Sequence, residues 1–226
     1  MNRLILLTSF LCFFLISCHK GVQQGESQST PVAGQDRQVN AGDVQSKNDA
    51  PQQSFQPFWV YTNKGSRDNH YVPSGFMPNS NCLSLDEAWM ENCHDGKTCV
   101  KVSYDMECSK QDQKWGGIFW LNPANNWGNR KGGFNLTGAK KLVFWAKGEK
   151  GTERIEEFKI GGIGGDFSDS DTAVIGPVLL TNEWREYTID LRGKDLSYIS
   201  GGFCWVTNVD VNPGTCVFYL DQIRYE

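Results

Sequence analysis

The sequence predicts an all-β fold, an antiparallel sandwich of two sheets, on three observations. Short runs of β-branched and aromatic residues recur beyond residue 57, turn residues break them at close intervals, and several alternate with period two. In chain order the runs are 58–62, 98–104, 117–121, 141–146, 155–160, 174–180, 184–191, 203–206 and 217–225. In 141–146, Leu142 and Phe144 fall on one face and Val143 and Trp145 on the other; in 184–191, Tyr187, Ile189 and Leu191 share the inward face. Asn122-Pro123, Gly132-Gly133, 148–152 and 161–171 supply the breaks. A single helical signal lies at 84–90, where Ser84 stands as a cap with Glu87 three residues on. About nine short strands with polar turns between them make two packed antiparallel sheets.

Composition narrows the partners. From Pro57 onward the chain carries 18 Lys plus Arg against 22 Asp plus Glu, with no basic stripe, which excludes nucleic acid as a partner. All 8 Trp lie in the same part. Of the 8 Cys, Cys82, Cys93, Cys99, Cys108, Cys204 and Cys216 fall in the predicted sandwich, without the close C-x-x-C pairs of a zinc site, so disulfides are expected. Cys204 and Cys216 flank the turn-rich 208–214, which predicts a bridge across a hairpin. Cys82, Cys93, Cys99 and Cys108 pair in an order the spacing leaves open. A Cys99–Cys108 bond is disfavoured, because a strand from Cys99 to Tyr104 carries the two apart at roughly 3.3 Å per residue.

The N-terminus has its own pattern. Arg3 is the only charge before Cys18, and the uncharged apolar run 4–16 is too short for a membrane span but suits a secretory signal. The ending Leu15-Ile16-Ser17-Cys18 resembles the lipobox of bacterial lipoproteins. That implies a signal peptide over 1–17, a lipidated Cys18 and attachment to a membrane of the bacterial cell envelope. His19, in place of an acidic residue, favours the outer membrane on the same resemblance. Residues 18–56, rich in Gln, Ser, Gly, Asn and Asp, read as a flexible tether, leaving 57–226 as one sandwich domain.

Within that domain, Trp115-Gly116-Gly117-Ile118-Phe119-Trp120, Pro123-Ala124-Asn125-Asn126-Trp127-Gly128 and Gly133-Phe134-Asn135-Leu136-Thr137-Gly138 follow in order. Phe144-Trp145-Ala146-Lys147-Gly148, Glu183-Trp184 and Phe218-Tyr219-Leu220-Asp221-Gln222-Ile223 continue the series. In that order they resemble jelly-roll modules of the galactose-binding-domain-like type, a build shared by carbohydrate-binding modules of bacterial glycosidases and by bacterial lipoproteins. The resemblance covers roughly 58–226.

Flat pyranose C–H faces stack on indole rings, and their hydroxyls need planar amides or ammonium groups beside them. Trp115, Trp120 and Trp127, interleaved with Asn125 and Asn126, fit that chemistry, and Trp145, Lys147 and Trp205 join them if one sheet face is open. Core packing is the competing use for each ring. The resemblance further implies a structural calcium where the loop after the first strand meets the last strand. Asn63, Asn69 and Asp221 are the matching residues, with Asn63 and Gln222 standing where an acidic ligand is expected; the alternative is polar turn chemistry around Asp221.

Other constellations carry less. The glycine-rich 161–165 lacks a following Lys-Ser or Lys-Thr, and Asp166, Asp169 and Asp171 oppose phosphate, so it reads as an acidic loop at the sandwich rim. Glu156 and Glu157 are adjacent in a strand and point to opposite faces, so they cannot form a glycosidase pair. Neither His70 nor His94 has a nucleophile context. The sequence is therefore read as a lipid-anchored, non-catalytic carbohydrate-binding protein. The alternative is an adhesin or envelope scaffold that holds a protein partner on the same sandwich.

Overall fold

The computed structural model describes residues 54–212 and 214–226. The predicted signal peptide, Cys18 and nearly all of the predicted tether lie outside the described residues. In chain order the strands are β1 (Phe58–Tyr61), β2 (Val72–Met77), β3 (Leu83–Trp89), β4 (Cys99–Tyr104), β5 (Trp115–Leu121), β6 (Lys141–Gly148) and β7 (Arg154–Ile155). They continue as β8 (Glu157–Gly161), β9 (Thr172–Ile175), β10 (Val178–Leu179), β11 (Arg185–Asp190), β12 (Gly201–Asn208) and β13 (Cys216–Tyr225), with one short helix, α1 (Met106–Lys110), between β4 and β5. The first sheet runs β11-β6-β13-β4-β3 with β1 also paired to β13, and the second runs β2-β5-β12-β8-β9. Every strand pair is antiparallel. The predicted antiparallel sandwich is the observed fold.

Period-two alternation decides what lies between the sheets. Val100 and Val102 of β4, Leu142, Phe144 and Ala146 of β6, Ile189 of β11, and Phe218 and Leu220 of β13 turn inward from the first sheet. Ile118 and Trp120 of β5, Phe158 and Ile160 of β8, and Phe203 and Trp205 of β12 meet them from the second. Each Val, Leu, Ile or Phe among them contributes about 1.5–3 kcal/mol by leaving water. The rings interlock: Phe144, Phe158 and Phe203 lie with centroids 4.7–5.9 Å apart.

Near its end β13 changes register between Asp221 and Arg224, with Gln222 in the left-handed region at φ 49°. The bulge lets both Leu220 and Ile223 face the core, where simple alternation would send Ile223 outward. It also leaves Asp221 on the outer side, paired opposite Trp145 of β6.

Four departures from the sequence reading have physical causes. The segment read as a helix at 84–90 is strand β3, whose burial alternates residue by residue and whose Leu83 and Leu85 pack on the core. Pairing with β4 overrides the local capping pattern. Strand β2 was not foreseen, because Pro73 and Gly75 argue against a strand interior; it occupies a sheet edge, where both are tolerated. Helix α1 was also missed. Its cap is Asp105, whose carboxylate accepts from the Glu107 and Cys108 N–H groups. The fourth concerns Cys204 and Cys216, which are free thiols rather than a bridge. Their strands belong to different sheets, so the 209–215 connection crosses the sandwich instead of closing a hairpin. Cys204 packs with Phe119, Leu121 and Ile163 outside the second sheet, while Cys216 faces the core opposite Tyr104. The bonded pairs are Cys82–Cys108 and Cys93–Cys99, with Cα–Cα distances of 5.6 and 5.4 Å. α1 turns the chain back after Tyr104 and brings Cys108 to Cys82.

Candidate functional site

The outer face of the first sheet carries a ladder of alternating rings and ammonium groups. Lys101 of β4, Tyr219 of β13 and Lys147 of β6 lie directly opposite one another on neighbouring strands. All three point outward because Val100, Val102, Phe218, Leu220 and Ala146 beside them point inward. Trp89, at the end of β3 past a register shift, closes one side, and Trp184, just before β11, closes the other.

The Lys101 Nζ sits 3.8 Å from the Trp89 ring centroid and 5.8 Å from that of Tyr219. The Lys147 Nζ lies 4.8 Å from Tyr219 and 5.5 Å from Trp184. These are cation–π distances, and they hold each ammonium against a ring face. The cleft encloses about 410 Å³ and is lined by Trp89, Glu91, Asn92, Lys101, Lys147, Glu149 and Tyr219. Lys147 and Tyr219 form a buried floor, while Glu91, Asn92 and Glu149 are exposed at the rim.

Hydrogen bonds fix the walls. The Trp89 indole N–H donates to the Glu91 carbonyl at 3.0 Å, and that of Trp184 to the Asn92 carbonyl at 2.8 Å. The Tyr219 hydroxyl donates to Glu149 Oε2 at 2.5 Å. Burial, then that bond to a carboxylate, pushes the phenol well above its usual range, so it stays a donor at every physiological pH. Beside the ladder, His94 stacks on Trp145 with centroids 3.7 Å apart and planes 13° apart.

Segment 93–99, closed by the Cys93–Cys99 disulfide, delivers His94 to this face, and Asp221 holds it there. Asp221 is fully buried; its Oδ2 accepts from the His94 and Asp95 N–H groups at 3.0 and 3.1 Å, and its Oδ1 from Gln222 N–H at 2.8 Å. At the other end of the segment, Asn63 Oδ1 accepts from the Lys97 and Thr98 N–H groups at 2.7 and 3.1 Å. Asn69 in turn accepts from Thr62 N–H and donates to the Asn63 carbonyl, both at 2.9 Å.

The three residues read as calcium ligands therefore do work around one loop junction, but as partners of N–H groups. Asp221 Oδ2 and Asn63 Oδ1 each accept two N–H groups and so have both lone pairs taken, and a calcium ion, which would need those same oxygens, does not fit this donor set. The polar turn chemistry is what the residues perform.

The residues predicted to stack on sugar fall into three places. Lys147 lines the cleft, and Trp145 lies beside it on the same face with His94 stacked on its ring. Trp120 and Trp205 are enclosed in the core, with indole N–H groups that find no acceptor among the described residues, and cannot reach a ligand. Their inward position follows from the same alternation that turns Phe119 and Cys204 outward. Trp115, Asn125, Asn126 and Trp127 belong to the second sheet and its loops. Asn126 is fully buried and bonds Gly128 N–H and the Asn122 carbonyl, so it pins its loop. Asn125 is exposed, Trp115 is half-buried, and Trp127 is 42% exposed, edge-on to Phe119 at 6.1 Å.

Trp89, Lys101, Trp184 and Tyr219 were not singled out from the sequence. The outward parity of Lys101 between two valines and of Tyr219 between Phe218 and Leu220 was a usable signal; their alignment across strands was not.

Several other carboxylates are engaged locally. Glu153 is buried and accepts from three successive N–H groups, of Lys150, Gly151 and Thr152. Glu156 pairs with Arg154, and Glu157 with Lys159. Asp169 ties the glycine-rich loop to β12 by accepting from Ile163, Ser200 and Gly201 N–H. A second recess, about 300 Å³, lies at Lys140, Lys141, Thr188, Asp190 and Arg192, but it has no aromatic wall, and Arg192 and Asp190 neutralise each other at 2.6 Å.

No protein-family model and no curated relative matches the chain. Among solved structures, the chain is similar to a family 30 carbohydrate-binding module at 15% identity and a TM-score of 0.47, over 75% of this chain and 87% of that one. It is similar also to the family 30 module of a cellulosomal cellulase of Clostridium thermocellum, at 13% identity and a TM-score of 0.47, over 76% and 97% of the two chains. A point variant of a family 29 carbohydrate-binding module gives 11% identity and a TM-score of 0.43, over 76% and 91%.

Proposed function

We propose that this protein is a lipid-anchored bacterial envelope protein whose sandwich binds carbohydrate without catalysis, in the cleft of the first sheet. The ladder Trp89–Lys101–Tyr219–Lys147–Trp184 carries this reading. It offers ring faces to pyranose C–H groups and places ammonium donors, a phenol, carboxylates and an amide within reach of hydroxyls. The site is built on strands and closed by a disulfide loop, so it needs little reorganisation on binding. Two disulfides suit a chain that folds outside the cytoplasm, as the lipobox-like Leu15-Ile16-Ser17-Cys18 requires. The test is a glycan and polysaccharide array probed with the purified full chain, alongside metabolic palmitate labelling in the cell. Binding to at least one saccharide, with labelling lost in Cys18→Ala, is expected. A blank array with protein shown to be folded overturns the binding reading.

A protein partner is the second reading, favoured by the outer face of the second sheet. Trp127 is 42% and Val174 56% exposed there, beside Met77, Phe119 and Val206. An adhesin using that face would bind its partner unchanged when the cleft is blocked.

A further inference from the structure

The charges in the cleft are arranged unusually for a site that takes a neutral sugar. Lys147 is only 7% exposed, yet among the described residues no carboxylate reaches salt-bridge distance of its ammonium and no acceptor bonds it. Lys101, half-buried on the opposite side of Tyr219, is unpaired in the same way. Lys64, Lys110, Lys141, Lys159 and Lys194 have carboxylate partners, and the other unpaired lysines among the described residues, Lys97, Lys114, Lys131, Lys140 and Lys150, are exposed. The Lys147 stem is covered while its ammonium still reaches solvent in the cleft, against the ring faces of Tyr219 and Trp184, so it is available to an anion that enters there. The carboxylates that line the cleft, Glu91 and Glu149, stand at its exposed rim, and Glu149 is occupied by the Tyr219 hydroxyl. The floor therefore presents two unpaired positive groups on either side of one ring, in a chain whose net charge is −4.

We propose that the ligand of this cleft is an acidic saccharide, a uronic-acid-containing glycan whose carboxylate lies over Tyr219 between the Lys101 and Lys147 ammonium groups. This rests on the carbohydrate reading of the same cleft. The pyranose ring of the uronate stacks on Trp89 or Trp184, and its carboxylate supplies the acceptors that both lysines lack. A charge-assisted bond to each ammonium is stronger than a bond to a neutral hydroxyl, so the acidic sugar is selected over its neutral counterpart. Glu91 and Glu149 at the rim repel a second carboxylate placed wrongly, which fixes the direction in which the chain enters.

The experiment is calorimetric titration of the purified full chain with oligomers of polygalacturonate, alginate and glucuronan. Each is paired with the same oligomer after reduction of its carboxyls to primary alcohols, so that only the charge differs. The expected result is at least tenfold tighter binding to one acidic oligomer than to its reduced form, weakening as salt rises. Lys147→Met and Lys101→Met are each expected to abolish that preference while the circular-dichroism spectrum stays native. Lys101, being half-exposed, keeps the test valid if Lys147→Met does not fold. Equal or tighter binding of the reduced or other neutral oligomers overturns the proposal and leaves the carbohydrate reading standing. No binding to any saccharide, acidic or neutral, overturns both.

Discussion

Asp221 shows how a single buried carboxylate serves the site without touching a ligand. Burial pushes its pKa from 3.8 up to about 6, against the downward pull of the Asp95, Gln222 and His94 N–H groups. Between about pH 4 and pH 6 the native carboxyl keeps its proton while the unfolded one has lost it, so the native state binds more protons. Stability from this group is therefore greatest below pH 4, falls as pH rises to 6, and is level above that. Thermal unfolding followed from pH 4 to 7 is expected to show this decline in the wild type and not in Asp221→Asn. That variant melts lower throughout, because its amide nitrogen faces the His94 and Asp95 N–H groups. An unchanged slope in the variant would assign the decline to another group. At this scale the sequence was partly legible: the resemblance to jelly-roll modules pointed to Asn63 and Asp221, but whether their oxygens met a cation or N–H groups depended on segment 93–99 folding over them.

At the scale of elements, the two disulfides have separable duties. Cys93–Cys99 spans 6 residues and Cys82–Cys108 spans 26. Loop-closure entropy then gives about 2.2 kcal/mol for the first and about 3.5 kcal/mol for the second at 25 °C. Replacing Cys82 and Cys108 by Ser is expected to lower the melting temperature more than replacing Cys93 and Cys99. Saccharide affinity should respond in the opposite order, falling at least fivefold when Cys93 and Cys99 are lost, since that releases His94 from Trp145 and the Asn92 carbonyl from Trp184. Melting curves and titrations on both double variants check this, and a matching order in the two measurements would contradict it. The strands that alternate cleanly, such as β6 and β11, were readable because one face is buried. β2 and β3 were not: Pro73 and Gly75 in the one, and a Ser84–Glu87 capping pattern in the other, gave local signals that pairing with β5 and β4 overrode.

For the whole molecule, the sandwich followed from period and turn chemistry, while the choice of binding face did not. The order β11-β6-β13-β4-β3 joins strands far apart in sequence, and only that order sets Lys101, Tyr219 and Lys147 side by side. The dense aromatic stretch at 115–127 drew attention to the second sheet, yet two of the predicted rings, Trp120 and Trp205, serve the core instead. The same division supplies the decisive comparison, because a tryptophan can be removed from each outer face in turn: Trp89, which lines the cleft of the first, and Trp127 on the second. Titration of Trp89→Ala and Trp127→Ala with the saccharide bound most tightly on the array separates the two faces. A loss of about tenfold or more in Trp89→Ala, roughly 1.4 kcal/mol, with Trp127→Ala unchanged, is the predicted result. Affinity kept in Trp89→Ala and lost in Trp127→Ala would move the site to the second sheet.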